Sequence, residues 1–280
     1  MIQTIAVAGA GTMGAGIAQV AAQSGFKTIL FDLNDKVLGK AVISIKKSLQ
    51  YLADKQILSS DKASEVFDKI IFTSSMSDCV ADVIIEAIIE NPAAKIELFN
   101  KLAPINSLQT IFASNTSSIS IGEIQIFVTN PQRVIGMHFF NPAPIMKLVE
   151  IVQGAQTNVD TVQAIESLCK QMNKVPVICK DAPGFIVNRV ARHYYLEAMH
   201  LVEQGLATIE NVDTIMEATG FKLGPFKLMD LIGMDVNLAV SKSIYEAFKK
   251  EERFAPSALQ IDKVNKGELG RKTGKGFYNY

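Results

Sequence analysis

Glycines at positions 9, 11 and 14 stand in a Gly-x-Gly-x-x-Gly spacing at the end of a short apolar run, TIAVAG (4–9), in this 280-residue sequence. Between a strand and a helix, such glycines make a tight turn, let a pyrophosphate approach the backbone and bring the helix close to the strand. Backbone amides at the helix start then face the anion, and Thr12 and Met13 between the glycines are counted with them as cofactor-binding. Asp32 ends the next apolar run, KTILFD (27–32), 18 residues after Gly14. A carboxylate there accepts hydrogen bonds from ribose hydroxyls and repels a 2′-phosphate. Dinucleotide binding is therefore expected, with NAD ahead of NADP, although Lys36 nearby is a candidate phosphate partner. A Gly-rich turn can also be a plain connection; Asp32 is the feature that tells against it.

A second group is His138 and Glu150, at the ends of two apolar runs joined by Asn141-Pro-Ala-Pro144. If the two runs pair antiparallel about Pro144, positions 138 and 150 fall opposite, with Cβ atoms about 5 Å apart. A carboxylate that near favours the imidazolium and fixes the ring's tautomer, as a general base taking a hydroxyl proton requires. On spacing alone the pair could equally be structural, satisfying a buried histidine. A third group is the hydroxyl run Ala113-Ser-Asn-Thr-Ser-Ser118. It reads first as a cluster of helix N-caps, and second as a hydroxyl at the carboxyl end of a strand, where doubly wound sheets bind ligands.

The elements that would position these groups alternate. Short apolar runs at 4–9, 27–32, 69–73, 82–87, 110–115 and 133–139 read as strands, and helical patterns fall at 12–25, 35–54, 92–102 and 118–124. Strand alternating with helix implies a Rossmann-like, doubly wound α/β sheet. A further helical stretch at 61–68 makes the second connection long, so a projecting helical hairpin is expected over about 35–68. Strands at 146–152 and 175–179 flank a helix at 158–172. Beyond Asp181-Ala182-Pro183-Gly184 only helical patterns follow, at 185–204, 208–219, 225–233, 234–250 and 256–265. The expected division is an α/β domain over 1–182 and a smaller all-α domain over 183–280.

Composition narrows the function classes. Lys+Arg and Asp+Glu both number 28, so no global field favours nucleic acid or an anionic membrane. Three cysteines and three histidines, widely spaced, form neither a disulfide framework nor a metal-ligand pattern, and no metal is expected. No apolar run nears the roughly 20 residues that span a bilayer, and the first residues lack the pattern of a signal peptide. A cytoplasmic protein is expected.

Several longer segments carry a resemblance. GAGTMGAGIA, EAIIEN, FASNTSSISI, IGMHFFNPAPIMKLVE, KDAPGFIVNR, GPFKLMDLIGMDVNLAV and GRKTGKGFYNY resemble the 3-hydroxyacyl-CoA dehydrogenase family, in its order, from about residue 5 to 278. Within it, the short bacterial form acting on 3-hydroxybutyryl-CoA is most similar. The resemblance implies an NAD-dependent oxidoreductase interconverting (S)-3-hydroxyacyl-CoA and 3-oxoacyl-CoA.

By the same resemblance, His138 is the base, Glu150 the acid that orients it, and Ser117 the hydroxyl that binds the substrate's C3 oxygen. Asn188 is an amide that also holds the substrate, and Asp32 the ribose ligand. Glu90, Lys95, Asn115, Ser117, Asn141 and Lys272 are cofactor contacts, while Ser48 and Lys55 on the hairpin contact coenzyme A. Judged without the family, Lys95, Lys272 and Lys55 read as solvated lysines and Ser48 as an exposed helix residue. Asn188 reads equally as a helix cap. The helical domain is expected to complete the substrate cleft and to dimerise through GPFKLMDLIGMDVNLAV. One departure is His193, where relatives carry proline. The alternative from another class is a non-catalytic NAD-binding structural homologue, in which Ser117, His138, Glu150 and Asn188 would have had no reason to persist together.

Overall fold

A computed structural model describes residues 2–280, which divide into two compact units, the first ending at Asp181 and the second spanning Ala182–Tyr280. In the first unit the order is β1 (Thr4–Ala8), α1 (Thr12–Gln23), β2 (Lys27–Phe31), α2 (Asp35–Asp54), α3 (Ser60–Asp68), β3 (Ile70–Thr73) and β4 (Val83–Glu86). Then come α4 (Pro92–Leu102), β5 (Ile111–Ser114), α5 (Ile121–Gln125), β6 (Val134–Phe139), β7 (Leu148–Gln153), α6 (Val159–Gln171) and β8 (Val175–Lys180). The eight strands form one sheet in the order β3-β2-β1-β4-β5-β6-β7-β8. Every neighbouring pair is parallel except β6 and β7. This is the Rossmann-like doubly wound architecture, with the order reversing at β1.

Helix starts are set by polar caps. Asn34, Ser59, Asn91, Ser120 and Asn158 each accept from a backbone amide two or three residues on, satisfying a donor that the helix itself cannot. The fourth helix of the sequence reading shrinks accordingly. It begins at Ile121 rather than 118, because Ser120 is the cap, and the hydroxyls of Thr116 and Ser118 are engaged elsewhere.

Alternation along the strands decides what lies on which face. Ile5, Val7, Val83, Ile85, Ile111, Ala113, Ile135, Met137, Phe139, Val149 and Ile151 share one core with α1, α2, α3 and α6. Successive side chains point to opposite faces, so Glu86, Ser114, His138 and Glu150 all turn to the other face. There α4 packs, with the Phe99 and Phe112 rings 5.2 Å apart. The edge strand β8 departs from the expectation of strands covered on both faces: Val175, Val177 and Ile178 are exposed, and Pro176 suits an edge.

The second unit holds α7 (Val187–Glu203), α8 (Ile209–Ala218), α9 (Pro225–Ile232), α10 (Met234–Ala247) and α11 (Ala258–Asn265), with no strand longer than an isolated bridge. Its core gathers Leu196, Met199, Val212, Phe226, Met229 and Met234. Buried Asp213 accepts from the first amides of α9 and from the Tyr278 hydroxyl, while Asp230 accepts from the amides of Phe277 and Tyr278. These two carboxylates fasten the C-terminal tail to α9. His193 is exposed on α7, its ring 5.0 Å from that of buried Phe254.

Gly136 is the tightest point of β6. A Cβ there would meet Val152 Cβ at 2.7 Å and Ile121 Cδ1 at 3.1 Å. Gly136→Ala is expected to lower stability by about 1–3 kcal/mol, as overpacking a filled site does. Urea unfolding monitored by circular dichroism measures this directly.

Candidate active site

The carboxyl ends of β1, β2, β4, β5 and β6 carry most of the candidate residues of the first unit, as open α/β sheets require of a ligand site. At β1, Gly9 has φ +102°, and a Cβ would lie 2.6 Å from the Ala87 carbonyl oxygen. A Cβ on Gly14 would overlap the Gly9 carbonyl oxygen at 1.7 Å, so α1 can approach β1 only with glycine here. At Gly11 a Cβ would meet nothing within 4 Å, which is the open approach a pyrophosphate needs. No side chain caps α1 and no acid lies in its first turn, so the helix start suits an anion. Thr12 there is exposed and Met13 half-buried.

Asp32 follows β2 and accepts from the Ala10 amide at 2.8 Å and the Asn34 amide at 2.9 Å. Beside it and Gly9 is a cleft of about 230 Å³ lined by Leu33, Met76, Ile88, Leu98 and Lys101. The glycine cradle, the uncapped helix and the carboxylate beside an apolar cleft fit a dinucleotide.

At β6 the antiparallel register sets His138 directly opposite Glu150. His138 Nδ1 lies 2.7 Å from Glu150 Oε2, and the two residues are 6% and 1% exposed. A carboxylate on Nδ1 fixes the orientation of the imidazole ring. The Phe140 ring sits 4.5 Å from the imidazole, and the Phe139 amide donates to Asn115 Oδ1 at 2.9 Å, tying the β5 loop to the β6 end.

The hydroxyl run is held by a carboxylate. Glu90 Oε1 accepts from the Thr116 hydroxyl at 2.5 Å, the Ser117 amide at 3.1 Å, and the Ser118 amide and hydroxyl at 3.2 and 3.0 Å. The other oxygen of Glu90 is 3.2 Å from Lys95 Nζ. Lys95 is no solvated lysine: it is 1% exposed and also donates to Glu86 Oε1. Pulled from α4 into the end of the sheet, it offsets two carboxylates at once. Burial pushes the Glu86 carboxyl upward against the pull of Lys95. For Glu90 burial acts the same way, but Lys95 and the hydroxyl donors outweigh it and hold the carboxyl below its ordinary value.

Other candidates are not gathered with these by any contact within their unit. Asn141 is exposed in the β6–β7 loop. Ser48 is half-buried on α2, and Lys55 at its C-terminus is exposed with its ammonium 5.8 Å from the Tyr51 ring. In the second unit, Asn188 lies in the first turn of α7, whose cap position is Ile186 rather than Asn188. Lys272 Nζ pairs with both oxygens of Asp235.

Two sequence profiles match the chain: the NAD binding domain of 3-hydroxyacyl-CoA dehydrogenases over residues 4–182, and the C-terminal domain over 184–280. The chain belongs to the 3-hydroxyacyl-CoA dehydrogenase family. It is 43% identical over its whole length to 3-hydroxyadipyl-CoA dehydrogenase of Escherichia coli, of which it spans only 59%. With the mitochondrial hydroxyacyl-coenzyme A dehydrogenase of Rattus norvegicus it shares 41% identity, covering 100% of this chain and 92% of the relative. The crystal structure of (S)-3-hydroxybutyryl-CoA dehydrogenase from Ralstonia eutropha superposes with a TM-score of 0.95 at 39% identity, covering 100% and 99% of the two chains. Membership in the 3-hydroxyacyl-CoA dehydrogenase family makes the nicotinamide dinucleotide its cofactor class. Among the described residues, no helix is long and apolar enough to cross a membrane.

The residue missed in the sequence is Glu86. Its signal was present, a carboxylate closing the otherwise apolar run DVIIEA, but its partner Lys95 is nine residues away on another element. Lys95→Met is expected to cost about 3–5 kcal/mol at pH 8, because it leaves a buried carboxylate uncompensated. Without the lysine, the folded-state pKa of Glu86 rises further above its unfolded value. Stability is then lost as pH rises through the folded value, so the deficit against wild type should shrink toward pH 5. Urea unfolding at both pH values reads the difference.

Proposed function

We propose that the chain is an NAD-dependent dehydrogenase interconverting (S)-3-hydroxyacyl-CoA and 3-oxoacyl-CoA, with 3-hydroxybutyryl-CoA and acetoacetyl-CoA as its substrates. The observation that carries this reading is the buried His138–Glu150 contact of 2.7 Å at the carboxyl end of β6. In the oxidative direction His138 takes the proton of the C3 hydroxyl through Nε2. Glu150, on Nδ1, fixes the ring and stabilises the imidazolium that results. The Ser117 hydroxyl donates to the C3 oxygen and keeps the proton within reach of the imidazole. When bound, the nicotinamide supplies the hydride acceptor, and the protein contributes geometry and electrostatics.

Gly9, Gly11, Thr12, Met13 and Gly14 would hold the pyrophosphate, and Asp32 the adenosine ribose. Glu90, Lys95, Asn115, Ser117 and Asn141 would line the rest of the cofactor site. Ser48 and Lys55 on the α2–α3 hairpin would contact the coenzyme A moiety, Lys55 through its charge. In the second unit we assign substrate binding to Asn188 and cofactor binding to Lys272. The carboxylate of Asp32 supports NAD over NADP, since a 2′-phosphate beside it would be repelled. Exposed Leu231, Ile232 and Val236 on α9 and α10 support a homodimer formed through this apolar surface. A cytoplasmic location agrees with an acyl-CoA substrate.

NADH absorbance should fall rapidly on adding acetoacetyl-CoA and not on adding free acetoacetate. His138→Ala should lower kcat by roughly 10²–10⁴-fold, the usual worth of a positioned base. Absence of turnover with tight NADH binding would overturn the reading in favour of a structural homologue. The dimer is checked separately by sedimentation at micromolar concentration, where a mass of twice the 30.5 kDa chain is expected.

A further inference from the structure

The loop that carries Ser117 folds on Thr116, whose Oγ1 accepts from the Ser118 amide at 3.2 Å and the Ile119 amide at 2.8 Å. Its amides at 117 and 118 and the hydroxyls of Thr116 and Ser118 all converge on one oxygen of Glu90, whose side chain is 39% exposed and sits in the loop before α4. An exposed glutamate on a loop is a poor anchor, since its side chain has rotamer freedom to lose. Something must hold Glu90 itself.

That support comes from Lys95, and behind Lys95 stands Glu86. Strand register puts Glu86 at the end of β4 directly beside Ser114 at the end of β5. Alternation turns both side chains to the α4 face. Glu86 is 0% exposed, and every contact it makes points toward the site: Lys95 Nζ and the Ile88 amide on Oε1, the Ser114 hydroxyl on Oε2 at 2.7 Å. Ser114 Oγ in turn accepts from the Thr116 amide at 3.3 Å. Two routes therefore run from Glu86 to the loop, one through Lys95 and Glu90, the other through Ser114. A purely structural ion pair would be served by Glu90 and Lys95 alone. A second, deeper carboxylate is costly to bury, and what it adds is a fixed position for the ammonium.

We propose that Glu86 is a positioning residue: it locks Lys95, through Lys95 it fixes Glu90, and through Glu90 it holds the 116–118 loop and the Ser117 hydroxyl in place. This deepens the function proposed above, because Ser117 matters for turnover only if that function is right. The rigidity of the loop does not depend on it.

The test is Glu86→Gln, which keeps the volume and the acceptor toward Ile88 but removes the charge. In the ligand-free protein, hydrogen exchange at the Ser117 and Ser118 amides should accelerate by about tenfold or more, while amides of β4 and α4 change less. In turnover of acetoacetyl-CoA with NADH, kcat should fall roughly 10- to 100-fold relative to wild type, with KM for the thioester within about threefold, as a displaced polar contact does. Exchange at 117–118 unchanged, or accelerated evenly across β4 and α4, overturns the proposal, as does a kcat within about twofold of wild type. Should E86Q not fold, the double variant E86Q/K95M removes both buried charges, and the same loop loosening is expected because Glu90 has lost its lysine. Tight protection in that variant overturns the proposal too. Failure of the wild-type protein to turn over would instead count against the proposed function, leaving the exchange result to decide the role of Glu86.

Discussion

Burying charge at the open end of a sheet is what the first unit is organised around. Four polar side chains lie among mostly apolar strand residues, Glu86, Ser114 and His138 near the ends of β4, β5 and β6 and Glu150 in the first half of β7, and each is at most 6% exposed. Buried charges persist only when paired and hydrogen-bonded. Each of these has its partner within reach: Glu86 with Lys95 and Ser114, and His138 with Glu150. The pairing is possible because strand alternation sends all four to the same face, while the positions between them build the core with α1, α2, α3 and α6.

The two pairs are made differently, and the difference matters for chemistry. His138 and Glu150 come from neighbouring strands joined by the loop 140–147, and their approach is set by antiparallel register. A shift of β7 by one residue would turn Glu150 to the apolar core and leave His138 without its partner. Glu86 and Lys95 come from a strand and the helix after it, and the lysine must cross from α4 to the sheet end. The first pair is a local device whose geometry follows from backbone hydrogen bonds. The second depends on how α4 lies on the sheet, through contacts such as Phe99 on Phe112.

The cofactor cradle follows a third logic, of absence. Gly9 and Gly14 are required because a Cβ would collide with neighbouring backbone, whereas Gly11 is required for no packing reason in the chain itself. A glycine whose missing side chain leaves open space, at an uncapped helix start, is explained by a ligand that needs the room. The second unit uses buried carboxylates otherwise. Asp213 and Asp230 satisfy backbone amides and fasten the tail that carries Lys272.

Local periodicity in the sequence was enough for the strands and helices of both units, because alternation and helical spacing are local and caps are single residues. The His138–Glu150 pairing was legible as a condition, since the two residues fall opposite if the strands pair antiparallel about Pro144, and the observed register meets that condition. The cofactor motif was legible because its glycines and Asp32 belong to one strand–helix–strand unit. Tertiary structure alone decided the fate of Lys95, which has no local sign of burial, and of the Thr116 and Ser118 hydroxyls, which cap no helix but converge on Glu90 from 26 and 28 residues away. It alone decided that Glu86 pairs with Lys95 and Ser114. The reason is one of range: dihedral preference and periodicity act over a turn or a strand, whereas a buried ion pair between β4, α4 and the β5 loop exists only once the sheet order has brought those elements together.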